Sequence, residues 1–219
     1  MNDQLILKFP SHKAYKKEDF YVSPSNLKAY DFINSWPKWI KRNVNIFGPS
    51  GSGKSHLASI LKNKASSIQI NADELTEDIF IKFKSKEILI IENLNEKISE
   101  NLLFSLWNNA LQDNKYFLTT SIKPINWYKF KLKDLISRVN SSLTIGINLP
   151  SDDLISVILA KNFSDKQITV EKRHIDYIIK RIDRSYEKIS QFILTLDKYS
   201  LKKGSPFSLK LIKEVLKMI

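Results

Sequence analysis

Short apolar runs alternate with amphipathic stretches through the first two thirds of the chain. VNIF at 44–47, SIQIN at 67–71, EILII at 87–91, KYFLTT at 115–120 and LTIGIN at 143–148 each predict a strand. Between them, apolar residues recur at three- and four-residue spacing and predict helices near 25–36, 54–64, 74–83, 100–112 and 132–140. Such alternation specifies a parallel sheet covered on both faces. After Pro150 only the helical spacing continues, near 152–162, 171–183, 186–202 and 208–218, with the third helix ending at the Lys-Lys-Gly of 202–204. The fold class expected is therefore α/β: a central five-stranded parallel sheet over 13–150, a small all-helical lid over 151–219, and a leading segment 1–12.

One stretch carries chemistry. GPSGSGKS runs from Gly48 to Ser55, after a strand and before a helix. It fits the G-x-x-x-x-G-K-[ST] pattern in the context that gives the pattern meaning. Three of the five glycines of the chain, Gly48, Gly51 and Gly53, fall within these eight residues. They let the backbone of Gly48, Pro49, Ser50, Gly51, Ser52 and Gly53 turn tightly and aim its N–H groups at phosphate oxygens. Lys54 is then placed for the β and γ phosphates, and the Ser55 hydroxyl for Mg²⁺. The expected cofactors are ADP or ATP with Mg²⁺.

The apolar run at 86–94 ends in Glu92, where P-loop proteins place the acid that helps to hold Mg²⁺. The next residue is Asn93. An amide cannot accept a proton from attacking water, so nucleotide binding with feeble intrinsic hydrolysis is expected.

Composition trims the alternatives. With 219 residues, 42% of them hydrophobic and 11% aromatic, the chain can bury a full core. It has no cysteine, and His12, His56 and His174 lack metal-ligand spacing, so a metal held by protein groups alone is not expected. No apolar run reaches the length of a membrane span, and the first nine residues lack the features of a signal peptide, so a cytoplasmic protein without membrane partners is expected. The net charge of +12 favours acidic partners, yet neither segment concentrates it: 1–150 holds 21 Lys and Arg against 14 Asp and Glu, and 151–219 holds 14 against 9. Trp36, Trp39, Trp107 and Trp127 sit in mixed apolar contexts and read as core or junction fillers. The hexapeptide QLILKF at 4–9, closed by Pro10, reads either as a buried edge strand or as a peptide that docks on another protein.

Several stretches carry a family resemblance. EDFYVSPSNLKAY (18–30), FLTTSIKP (117–124), DLISRVNS (134–141) and LPSDDLISVILAKNF (149–163) resemble the opening, sensor 1, arginine-finger and lid segments of the bacterial replication initiator DnaA, an AAA+ protein. The chain stops after the lid, and together with the QLxLxF-type peptide this layout is similar to the Hda family, DnaA-related regulators that inactivate the initiator. That resemblance implies an ADP-bound protein whose Gln4, Leu5, Leu7 and Phe9 dock on the DNA polymerase sliding clamp, so that DNA is met mainly through the clamp. It further implies that Arg138 is supplied in trans to stimulate ATP hydrolysis by DnaA, that Asn26 lies near the adenine or ribose, and that Arg184 of the lid contacts the nucleotide. Ile122 stands where the family's sensor 1 strand ends in an acid, and Glu187 aligns with its sensor 2 arginine. Two other readings stay open: an AAA+ helicase-loader-like protein that binds single-stranded DNA, and a clamp-binding adaptor without ATPase-stimulating activity.

Overall fold

A computed structural model describes residues 20–165, 168, 170–203 and 208–219. Gln4, Leu5, Leu7 and Phe9, expected to dock on the clamp, lie outside them. Five strands form one parallel sheet: β1 (Asn43–Phe47), β2 (Ser67–Asn71), β3 (Ile88–Leu94), β4 (Tyr116–Ser121) and β5 (Leu143–Gly146), in the order β2-β3-β4-β1-β5. All five expected strands form. β3 and β4 are buried along most of their length, β3 by an apolar run and β4 with Thr119, Thr120 and Ser121 at its carboxyl end, because helices cover both faces of the sheet.

On one face, α1 (Leu27–Asn34) and α2 (Lys54–Lys62) pack Ile33, Leu57 and Leu61 onto Val44, Ile46 and Ile90. On the other, α3 (Ile79–Phe83), α4 (Glu100–Gln112) and α5 (Lys133–Asn140) pack Phe83, Trp107 and Leu135 onto Leu89, Ile91 and Phe117. Trp107 stacks on Phe117 with centroids 5.1 Å apart. Beyond the sheet, α6 (Asp152–Asp165), α7 (Lys172–Ile179), α8 (Tyr186–Lys203) and α9 (Leu209–Leu216) enclose a separate core around Leu159, Phe163, Ile178, Phe192 and Ile212. Among the described residues no helix is long and apolar enough to cross a membrane.

Two elements depart from expectation. The helix expected over 74–83 is divided into a 3₁₀ turn at Ala72–Glu74 and the short α3. The Asn71 side chain accepts from Asp73 N at 3.2 Å and so closes a tight turn that leaves the helix to restart later. β3 also runs on to Leu94, past a register shift at which Asn93 adopts φ 55°. Asparagine is among the few residues that take such a conformation at modest cost.

A buried polar residue ties the sheet together at the end that matters. Asn45 of β1 is fully buried, and its Nδ2 donates to Thr119 Oγ1 at 3.0 Å and Ser121 Oγ at 2.9 Å. Its Oδ1 accepts from Ile125 N at 3.1 Å, so the amide is satisfied at both ends. The carboxyl ends of β1 and β4 are thereby held together where their loops leave the sheet.

Candidate functional site

β1 delivers the chain directly into the Gly48–Ser55 loop, and α2 leaves it. Gly53 is the N-cap of α2 with φ 92°, and Gly51 has φ 78°. Both lie in the region where side chains are strained, so the loop needs glycine for its path. Space demands it as well: a Cβ on Gly48 would meet Ile147 O at 2.8 Å, and one on Gly53 would meet Phe20 Cε2 at 2.8 Å. The loop's N–H groups and the amino end of α2 form an anion-binding concavity.

Lys54 crosses the loop from below. Its Nζ donates to Gly48 O and Pro49 O, each at 2.8 Å. Burial pushes its pKa below the usual lysine value, and the Glu92 charge opposes that shift. An arriving phosphate would supply the anion that this desolvated ammonium lacks. Glu92 ends the straight part of β3 and accepts a short hydrogen bond from Gln69 Nε2 on β2, while its Oε2 is buried without a partner. The Ser52 hydroxyl is likewise buried and unpartnered. These orphaned oxygens and the desolvated cation fit a nucleotide with its metal: Ser55 and Glu92 would supply two oxygens, and Mg²⁺ takes the rest from phosphates and water. Among the described residues no cluster of three or more His, Cys, Asp or Glu could hold a metal unaided.

A cavity of about 410 Å³ opens over the loop, lined by Ser50–His56 together with Asn93, Ile122 and Ser190. What lines it limits the chemistry. Asn93 and Ile122 offer no base, and from α8 the lid contributes the hydroxyl of Ser190 instead of a cation. Asn93 N donates to Thr120 Oγ1 at 3.1 Å, which holds the bulge in place. The arrangement can bind and screen a polyphosphate, with His56, edge-packed on Phe20, as the imidazole in the lining.

A second concavity adjoins the loop, bounded by Phe20, Tyr21, Asn26, Gly51, Ser52, Gly53, Leu154, Ile158 and Tyr186. Its flat, largely apolar walls suit a planar base. Phe20 stacks on Tyr30 at 5.5 Å, and its edge contact with His56 at 5.2 Å gives that histidine a packing role. Asn26 is buried at the wall: its Nδ2 donates to Tyr21 O at 2.8 Å and its Oδ1 accepts from Ser23 N at 2.9 Å. It stands at the N-cap position of α1, where its side chain shapes the turn that forms the pocket and makes no capping bond to the helix.

The lid fastens to the loop through Tyr186, a residue that sequence reasoning passed over. Its hydroxyl donates to Asn148 O at 3.3 Å and lies 3.5 Å from Ser25 Oγ, and its Cβ lies 3.0 Å from where a Gly51 Cβ would stand. Burial raises its pKa above the ordinary tyrosine value. Arg184, expected at the nucleotide, lines neither concavity. It forms a forked pair with Asp152 at the start of α6, with Nε–Oδ1 and Nη2–Oδ2 both 3.0 Å. Arg138 sits in the last turn of α5, half-exposed, and its guanidinium has no carboxylate partner among the described residues.

No protein-family model matches the chain. Its sequence is 24% identical to the chromosomal replication initiator protein DnaA of Campylobacter jejuni over 231 aligned positions, covering 93% of this chain and 52% of that protein. The chain thus spans about half the length of the curated relatives it matches. Among solved structures, domain III of Thermotoga maritima DnaA superposes with a TM-score of 0.78 at 20% identity, covering 95% of this chain and 98% of that one. AMPPCP-bound DnaA from Aquifex aeolicus superposes with a TM-score of 0.70 at 18% identity, over 84% of this chain and 65% of that one. The parallel sheet with its P-loop and the helical lid give the chain an α/β P-loop AAA+ fold, and its sequence and structure are similar to those of DnaA.

Proposed function

We propose that this protein is a nucleotide-holding regulator of replication initiation, which binds ADP or ATP with Mg²⁺ at Gly48–Ser55 and Glu92, turns it over slowly, and acts on the initiator DnaA. One observation carries the reading: an intact phosphate cradle faces Asn93, Ile122 and Ser190, and the imidazole in its lining, His56, is packed edge-on against Phe20. Such a site suits a protein whose nucleotide is a structural ligand. Similarity to DnaA and the AMPPCP-bound relative support the choice of nucleotide and process.

Arg138 is the group that acts on the partner. It ends α5 without a carboxylate partner among the described residues, so it can reach a γ-phosphate held by a neighbouring DnaA. An arginine supplied in trans accelerates hydrolysis by roughly 10³ to 10⁵. Gln4, Leu5, Leu7 and Phe9 dock on the sliding clamp, with the three apolar side chains entering a groove and Gln4 bonding at its rim. The test is the ATPase rate of the initiator with DNA-loaded clamp and either wild type, a chain lacking residues 1–9, or Arg138→Ala. Stimulation by wild type alone is expected. Full stimulation by Arg138→Ala would overturn the arginine's role, and full stimulation by the truncated chain would overturn the clamp's.

A further inference from the structure

A concavity away from the nucleotide site lies at the opposite end of the sheet. It measures about 430 Å³ and is built from three separate segments: Trp36 and Pro37, the turn Lys84–Glu87, and the turn from Asp113 to Tyr116. These segments precede β1, β3 and β4, whereas the P-loop follows β1. A seven-residue strand such as β3 separates the two sites by roughly 20 Å.

Its chemistry is mixed in a particular way. Trp36 meets Tyr116 edge to face at 4.8 Å and Trp39 at 5.3 Å, forming a firm apolar wall beside exposed Pro37. The Arg42 guanidinium lies 5.2 Å from the centre of the Tyr116 ring and donates to Asn114 O. Lys115 is committed to Phe83 O, Lys84 O and Asp113, at 3.0, 2.8 and 3.2 Å. Lys84 and Lys86 on the lining, and the exposed Lys38 and Lys41 of the same segment as Trp36, have no carboxylate partner among the described residues. Ile40, between Trp39 and Lys41, is 86% exposed.

We propose that this pocket docks an acidic peptide segment carrying one large apolar side chain. Charge complementarity identifies the occupant: the uncommitted Lys84 and Lys86 line an apolar slot that takes a single anchor, and exposed Lys38 and Lys41 follow Trp36 in the same segment. Nucleic acid fits less well. Successive bases need open ring faces, but Tyr116 already has Arg42 over it and Trp36 packed edgewise. Glu87 and Asp113 also stand in the lining, with Asp113 paired to Lys115 at 3.2 Å.

The test is fluorescence anisotropy of the full chain with a fluorescein-labelled Glu-Asp-Glu-Phe-Glu-Asp-Glu peptide at about 50 mM salt, where surface charge is little screened. Binding is expected, at least tenfold weaker for the peptide with Ser in place of Phe. The Lys84→Glu/Lys86→Glu variant should lose about tenfold while keeping wild-type affinity for a fluorescent ATP analogue, which reports an intact fold. In Trp36→Ala the two peptides should bind alike, a coupling that general destabilisation does not produce. The proposal fails if the Phe peptide does not bind at about 1 mM, if charge reversal leaves its affinity unchanged, or if the Phe preference survives Trp36→Ala. Tighter binding of a thymidine oligonucleotide, lost in the same charge-reversal variant, would make the pocket a nucleic-acid surface and overturn the peptide reading.

Discussion

Gly53→Ala is the most informative single change to the nucleotide site. Gly53 has φ 92°, and an L side chain there costs about 1–2 kcal/mol in backbone strain. The new Cβ would stand 2.8 Å from Phe20 Cε2, so the ring must move off its stack on Tyr30 and away from His56. Losing a favourable aromatic pair adds about 0.5–1.5 kcal/mol. The fold should lose about 2–3 kcal/mol, a fall in Tm of about 5–10 °C for a chain of this size. Because Phe20 also walls the base pocket, nucleotide affinity should fall at least tenfold. Thermal unfolding with and without nucleotide measures both effects together. A ligand at about 1,000 times Kd stabilises the wild type by about 4.1 kcal/mol, and the same concentration stabilises a variant bound tenfold more weakly by about 2.7 kcal/mol. A folded Gly53→Ala protein with an undiminished nucleotide shift would show that neither this loop conformation nor the Phe20 wall matters for binding.

Other changes probe separate links. Asn45→Ala leaves Ile125 N–H without its acceptor and should cost about 1–3 kcal/mol in denaturant unfolding; an unchanged midpoint would show that the polar tie is dispensable. Asn93→Asp places a carboxylate at the bulge of β3 and should raise ATP turnover at least tenfold, since a positioned base contributes about 10²–10⁴; no increase in steady-state hydrolysis would shift the defect to Ile122 or Ser190. Tyr186→Phe removes the hydroxyl that bonds to Asn148 and should weaken the fold by about 0.5–1.5 kcal/mol near neutral pH. The folded protein holds that phenol neutral above its ordinary value, so its contribution is full below about pH 10 and fades as pH rises through the raised value. Unfolding above pH 10 should therefore be less steeply pH-dependent in Tyr186→Phe than in wild type, and identical slopes would refute the assignment.

The sheet and the phosphate loop were legible because each is a local signal. Apolar runs of strand length, and glycines at fixed offsets before a helix, are read from neighbours in the chain. The β3 strand and its terminal Glu92 were legible for the same reason. The restart of α3 was not, since it turns on a single Asn71 side chain competing for the backbone. The ion pair of Arg184 was not legible for a different reason: its partner Asp152 lies 32 residues away, and only the packing of the lid brings the two together. Tyr186 gave no motif to find, because its value lies in meeting Gly51, Ser25 and Asn148 across the domain junction. The basic grouping around Trp36 was likewise missed. Its lysines and aromatic residues come from three segments that no window of sequence contains.

The Asn45 tie has a mechanical consequence. It joins the strand that feeds the P-loop to the strand that feeds Ile122, so two walls of the phosphate cavity move as one rigid part. Slippage between those strands would break three hydrogen bonds at once inside a dry interior. The wall carrying Ser190 and Tyr186 comes from α8 and lies outside that tie, joined to the sheet's loops through the Tyr186 hydroxyl at Asn148 O.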